Sequence, residues 1–163
     1  MGSSSARPAD EIETIVNEYA DTLYRICITQ LKNTADAEDA VQTVFLKLLQ
    51  KAPSFESKTH EKAWLIRVAV NACRDIQRRR MRHPEEALED AGLPAEMRTD
   101  SGVLEALGKV PEKFRIVLTL HYVEGYTAAE IAPIIGKTQS AVKMRLQKGR
   151  QLLEEIYRKE FSE

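Results

Sequence analysis

Apolar residues recur at helical spacing along almost the whole chain, and no stretch shows the alternation of a half-buried strand. From Glu11 to Lys32, residues Ile12, Ile15, Val16, Tyr19, Leu23, Ile26, Cys27 and Leu31 fall on one side of a helix. Asn33-Thr34 breaks it. A second helix opens at Asp36-Ala-Glu-Asp, whose acids suit the positive end of a helix. Its expected buried stripe is Val41, Val44, Phe45, Leu48 and Leu49, and Pro53 ends it. After the loop PSFESKT a long third helix runs from about His60 to Arg82, with Trp64, Leu65, Val68 and Ala72 packing inward. Over residues 83–102 the period is lost. Pro84, Gly92, Pro94, Gly102 and a run of acids mark a flexible or partly helical linker. Periodicity resumes with a short helix from Val103 to Lys109. Another follows with Pro111 in its first turn, packing through Phe114, Val117, Leu118 and His121 or Tyr122 and stopping at Gly125.

The stretch Thr127–Leu153 then has the grammar of a helix-turn-helix. Thr127 with Glu130 three residues on is a capping box, so a helix starts at Ala128. Ile131, Ala132, Ile134 and Ile135 give it an apolar side, while Pro133 removes one backbone bond and shortens or kinks it. Gly136 stands where a chain leaving a helix needs positive φ, and Thr138 is placed to cap the next helix. There Val142, Leu146, Gly149 and Leu153 share one face. The opposite face carries Ser140, Met144, Gln147, Lys148 and Gln151, flanked by Lys143, Arg145 and Arg150. No acid lies between Lys137 and Gln151. Such a face suits a major groove, where amides and amines read base edges and flanking cations hold phosphates.

Charge sharpens this picture. The formal net charge of −1 conceals segregation by sign. Lys58 to Arg82 holds eight cations against Glu61 and Asp75, and Lys137 to Arg150 holds five cations and no acid. Asp10–Asp39 and Glu85–Glu105 are acidic instead. Cations at a helix end are favourable on dipole grounds, but that covers one or two arginines and leaves the run Arg78, Arg79, Arg80 and Arg82 unexplained without an anion. Two basic blocks in a near-neutral protein imply two contacts with a polyanion.

Composition excludes several alternatives. The 163 residues fit one domain or two small ones. No apolar run reaches transmembrane length and no signal peptide is visible, so a cytoplasmic protein without membrane insertion is expected. The opening MGSSSARPAD reads as an expression remnant or disordered tail over residues 1–10. Cys27 and Cys73 read as two buried thiols. His60, His83 and His121 form no ligand spacing with them, so no metal is expected. With no phosphate-binding Gly-rich loop or catalytic His constellation, neither an enzyme, a cofactor nor a small-molecule substrate is expected.

The run AEDAVQTVFLKL (37–48), then AWLIRVAVNACRD (63–75), then VPEKFRIVLTLHYVEGYTAAEIAPIIGKTQSAVKMRLQKGR (110–150) resembles the extracytoplasmic-function (ECF) group of the bacterial sigma-70 family. The resemblance implies an all-α fold of two small helical domains. Region 2 would span 11–82 and region 4 would span 103–163, joined by an acidic linker over 83–102. It implies a factor that binds core RNA polymerase, recognises −10 and −35 promoter DNA and promotes melting, and that an anti-sigma factor holds inactive.

Carried over by position, Asp39, Gln42 and Thr43 meet the polymerase. Asn71 captures an extruded −10 base, with the loop containing Phe55, Ser57, Lys58 and His60 as the other wall. Arg74, Arg78, Arg79 and Arg80 hold the phosphates of that strand. Ser140, Lys143, Met144, Arg145, Gln147, Lys148 and Arg150 form the −35 side. The competing reading is a helix-turn-helix regulator with an N-terminal dimerisation or sensing domain. It has no use for a basic block beside Asn71.

Overall fold

The computed structural model describes residues 7–86 and 102–161, and all their regular structure is helical. Helices α1 (Ala9–Leu31), α2 (Thr34–Gln50) and α3 (Lys58–Arg82) are followed by a 3₁₀ turn at Pro84–Glu86. Then come α4 (Val103–Gly108), α5 (Glu112–Leu118) continuing into a π-helical turn (Thr119–Val123), α6 (Ala128–Ile135) and α7 (Gln139–Phe161). The chain divides into two compact units, Met1–Cys27 with Ala35–Ala87 and Ile28–Thr34 with Leu88–Glu163. The acidic linker expected over 83–102 lies largely outside the described residues.

In the first unit, α3 is the most deeply packed element. It buries Leu65, Ile66, Val68, Ala69, Val70, Ala72, Cys73 and Ile76, far more than one amphipathic stripe. Its wet side is therefore narrow, with Arg67, Asn71, Asp75, Arg78 and Arg79 exposed along it. Helix α1 supplies Ile15, Tyr19, Leu23, Ile26 and Cys27 to the core. Helix α2 departs from expectation: it buries Ala37, Ala40, Val44 and Leu48, while Leu49 is 46% exposed and Leu46 is 53% exposed. The buried face runs through Ala37 and Ala40, small residues that are buried as readily as larger apolar ones, and leaves Leu49 outside it. Cys27 and Cys73 are both buried, and neither is in a disulfide.

The expected tail over residues 1–10 needs correction at its end. Helix α1 already starts at Ala9, and the Arg7 guanidinium donates to the carbonyl oxygens of Ala52 (3.3 Å) and Pro53.

In the second unit the capping box forms as expected. Thr127 Oγ1 accepts from the Glu130 N–H (3.2 Å), and Glu130 Oε1 accepts from the Thr127 N–H (2.9 Å). Gly136 ends α6 at φ 70°, and Pro133 lies inside it. Thr138 Oγ1 accepts from the Ala141 N–H at 3.1 Å, capping α7. Ile131, Ile134, Ile135, Val142 and Leu146 bury the joint. Arg115 is buried as well, donating to the carbonyl oxygens of Gly108 (2.9 Å) and Val110 (3.1 Å), which closes the turn between α4 and α5. The expected face of α5 forms through Val117 and Leu118, buried with Ile116, and half-buried Phe114 and His121; of the two alternatives at its end, Tyr122 is the exposed one, at 56%. The π-turn adds a residue to the helical repeat and rotates Tyr122 off the buried face.

Candidate nucleic-acid interface

In the first unit, Asn71 lies exposed in the middle of the narrow wet strip of α3. A helix buried on its other sides fixes the backbone that carries that amide. Arg78 and Arg79 follow it, both exposed. Arg78 pairs with Asp75 at 3.3 Å. Arg80 differs from its neighbours, because its guanidinium forms an ion pair with Asp36 at the start of α2 and is largely covered. It braces α3 against α2, so the exposed cations there are Arg78, Arg79 and Arg82.

The loop between α2 and α3 is an aromatic cluster. Phe55 meets His60 edge-on with centroids 5.4 Å apart and Trp64 at 5.6 Å. Trp64, expected to pack inward, is half-buried, and its indole contacts Phe55 of the loop. Ser57 caps α3, its Oγ accepting from the His60 N–H (3.0 Å). His60 Nδ1 accepts from the Glu56 N–H at 3.2 Å, which fixes the ring. Lys58, expected as a strand contact, reaches Glu18 (3.1 Å) and Glu61 (3.4 Å) instead. Those hydrogen bonds, Glu18 first, hold its pKa above the ordinary lysine range. Beneath it Tyr19 is buried, and desolvation, reinforced by Glu61 and Glu18, raises its pKa.

On α2, Asp39 and Gln42 are exposed. Thr43 Oγ1 donates back to the Asp39 carbonyl (3.0 Å), so its hydroxyl is engaged within the helix. Leu46 and Leu49 continue the Asp39–Gln42 row at i+3 and i+4 spacing, and this half-apolar stripe was missed from sequence because Leu49 was assigned to the core. The spacing 39, 42, 46, 49 was the available signal.

In the second unit Ser140, Lys143, Met144, Gln147, Lys148 and Arg150 are all exposed on α7, and Arg145 is half-buried. Met144 is 70% exposed, a large apolar side chain standing among cations and amides. Arg150 Nη1 donates to the Tyr122 hydroxyl at 2.9 Å, which ties it to the π-turn. Val103, Leu107, Tyr122, Val123, Leu153 and Tyr157 also line an apolar groove of about 450 Å³. It draws on elements far apart in sequence, so no local pattern announced it. Among the described residues, no group of three or more His, Cys, Asp or Glu could hold a metal ion, and no helix is long and apolar enough to cross a membrane.

Among the described residues the regular structure is helical, with a capped helix-turn-helix in one unit and a basic, aromatic-edged helix in the other, the architecture of a helix-turn-helix DNA-binding protein. Its relatives narrow that class. Residues 15–83 match Sigma-70 region 2 and residues 102–153 match Sigma-70, region 4. The ECF RNA polymerase sigma factor SigM of Mycobacterium tuberculosis is 33% identical over 132 residues, covering 78% of this chain and 67% of that protein. SigE of Mycolicibacterium smegmatis is 33% identical over 99% of this chain, which spans 66% of that relative's length. SigW of Bacillus subtilis is 27% identical, with 88% and 87% covered. The sigma factor RpoE, solved with the anti-sigma factor NepR from Bartonella quintana, shares the fold: TM-score 0.76 at 23% identity, covering 91% of this chain and 97% of that one. The chain belongs to the sigma-70 family of transcription initiation factors, in its ECF group.

Proposed function

We propose that this chain binds core RNA polymerase and directs it to promoters with two recognition elements, acting without catalysis of its own. The observation that carries this is Asn71: an exposed amide on the narrow wet strip of α3, two turns on from Trp64 of the aromatic cluster and two turns ahead of the exposed Arg78 and Arg79. A base extruded from the −10 element costs a few kcal/mol of unstacking, offset by edge hydrogen bonds and stacking in a pocket. Asn71 supplies the edge contacts, the loop of Phe55, Ser57 and His60 supplies the wall, and Arg74, Arg78 and Arg79 hold the strand. On α7, Lys143, Met144, Gln147 and Lys148 read the −35 element, with Ser140, Arg145 and Arg150 at its margins. Asp39, Gln42, Leu46 and Leu49 form the polymerase-docking row.

The solved relatives RpoE and CnrH are complexed with NepR and with the cytosolic domain of CnrY. By the same logic an anti-sigma factor holds this chain inactive by covering these surfaces. The test compares duplex promoter binding with and without core polymerase. A sigma factor binds duplex weakly alone and strongly in holoenzyme. Tight, specific duplex binding by the free chain, unchanged by polymerase, belongs to an ordinary helix-turn-helix regulator and contradicts the proposal.

A further inference from the structure

Arg7 lies just ahead of α1, yet beside its i,i+4 pair with Glu11 its contacts lead to the loop between α2 and α3. Its guanidinium sits 4.8 Å above the centroid of Phe55. It donates to the Ala52 and Pro53 carbonyls just past the end of α2, and Nε pairs with Glu11 at 3.5 Å. The Arg7 side chain is only 11% exposed. Phe55 also meets Trp64 and His60, with ring centroids 5.6 Å and 5.4 Å away. The planar fork of an arginine suits this double task of bonding two carbonyls and stacking on a ring, which a lysine ammonium cannot reproduce.

Resting on the proposed promoter reading, we infer that Arg7 is a positioning residue for −10 strand capture. It fixes the Phe55 ring and the entry of the loop, and makes no contact with DNA itself. A loop held before the strand arrives spares the ordering cost on binding. Covered as it is, Arg7 has little surface to offer a phosphate.

The experiment uses holoenzyme reconstituted from core polymerase and the full chain, with a fluorescent single-stranded −10 oligonucleotide titrated over a range of salt. Arg7→Ala weakens strand binding by about tenfold, the order expected when a partly buried cation–π contact and its hydrogen bonds are lost. The salt slope stays at the wild-type value, core binding is unchanged, and Arg7→Lys recovers only part of the affinity. Trp64 is the chain's single tryptophan, so its emission, shifted in Arg7→Ala, reports the loosened loop directly.

A salt slope lowered by about 0.7, the share of one single-strand phosphate, makes Arg7 a direct contact and overturns the inference. Unchanged strand affinity in Arg7→Ala, with wild-type holoenzyme binding normally, also overturns it. Loss of core binding along with strand binding assigns Arg7 to general folding and overturns it too. If wild-type holoenzyme itself fails to bind the strand, the promoter reading falls first.

Discussion

Gly149→Ala probes how the recognition helix is mounted. A β-carbon at Gly149 stands 3.1 Å from Cγ and Cδ1 of Leu118 and 3.3 Å from Cβ of Phe114. Alanine in place of a helix-interior glycine ordinarily gains about 1 kcal/mol. Non-bonded carbons prefer about 3.5–4.0 Å, so this methyl needs roughly 0.4–0.9 Å more room toward Leu118. The two neighbours differ in how far they yield. The Phe114 atom is a Cβ fixed to the backbone of α5, whereas Leu118, though only 1% exposed, lines the apolar groove and can shift toward it, which puts the cost at the low end. Overpacking of this kind costs about 1–3 kcal/mol. The expected balance is a loss of about 0–2 kcal/mol in place of the usual gain. Gly149→Val, a poorer helix former with two more methyl groups, loses about 2–3 kcal/mol. Calorimetry of the full chain, with hydrogen exchange on α7 amides, reads both variants. In a domain of this size each kcal/mol shifts Tm by about 4–8 °C. A gain of about 1 kcal/mol for Gly149→Ala with a neutral Gly149→Val refutes close packing of α7 on α5.

Four further outcomes are expected. Lys148→Ala weakens a −35 duplex probe by about 1–3 kcal/mol with relaxed sequence choice if it reads a base, or lowers the salt slope by about one if it holds a phosphate; no change in either removes it from the interface. Asn71→Ala slows open-complex formation, measured by permanganate reactivity, while core binding is unchanged; equal loss of both points to misfolding. Leu46→Ala and Leu49→Ala each weaken core binding by about 1 kcal/mol, since roughly half of each side chain is still open to be covered, and leave Tm within the small range of surface changes; a fall in Tm without a fall in affinity contradicts the docking row. Burial, then the charges of Glu130 and Glu124, push the Tyr126 pKa up to about 12. Its neutral form is the one the fold favours, so that stability is complete below about pH 10 and is lost as pH rises through about 12. Tyr126→Phe removes this alkaline dependence, followed by circular dichroism against tyrosinate absorbance.

Local signals carried well from sequence to structure. The capping box at Thr127, the positive φ at Gly136 and the Thr138 cap are set by a few neighbouring residues, and all three formed where the pattern places them. Positions that depend on partners did not carry as well. Leu49 is exposed because α2 packs through its alanines, which a hydrophobic stripe alone undervalues. Tyr122 turns outward because α5 runs into a π-turn, which no periodicity signals. Arg80 pairs with Asp36, and Lys58 with Glu18, across gaps of about forty residues. A count of cations cannot foresee such pairs. Arg7 reads with the opening residues as expression remnant or disordered tail, because the Ala52 and Pro53 carbonyls that hold it lie 45 and 46 residues on, out of reach of any local pattern.

Run-off transcription by core polymerase with the full chain, on a library of promoter variants, tests the central claim most directly. The predicted result is transcription that requires the chain, starts at one position downstream of paired −35 and −10 elements, and falls when either element is changed. Transcripts that are equal with and without the chain, or that depend on a single duplex site and need another sigma factor to appear, contradict it.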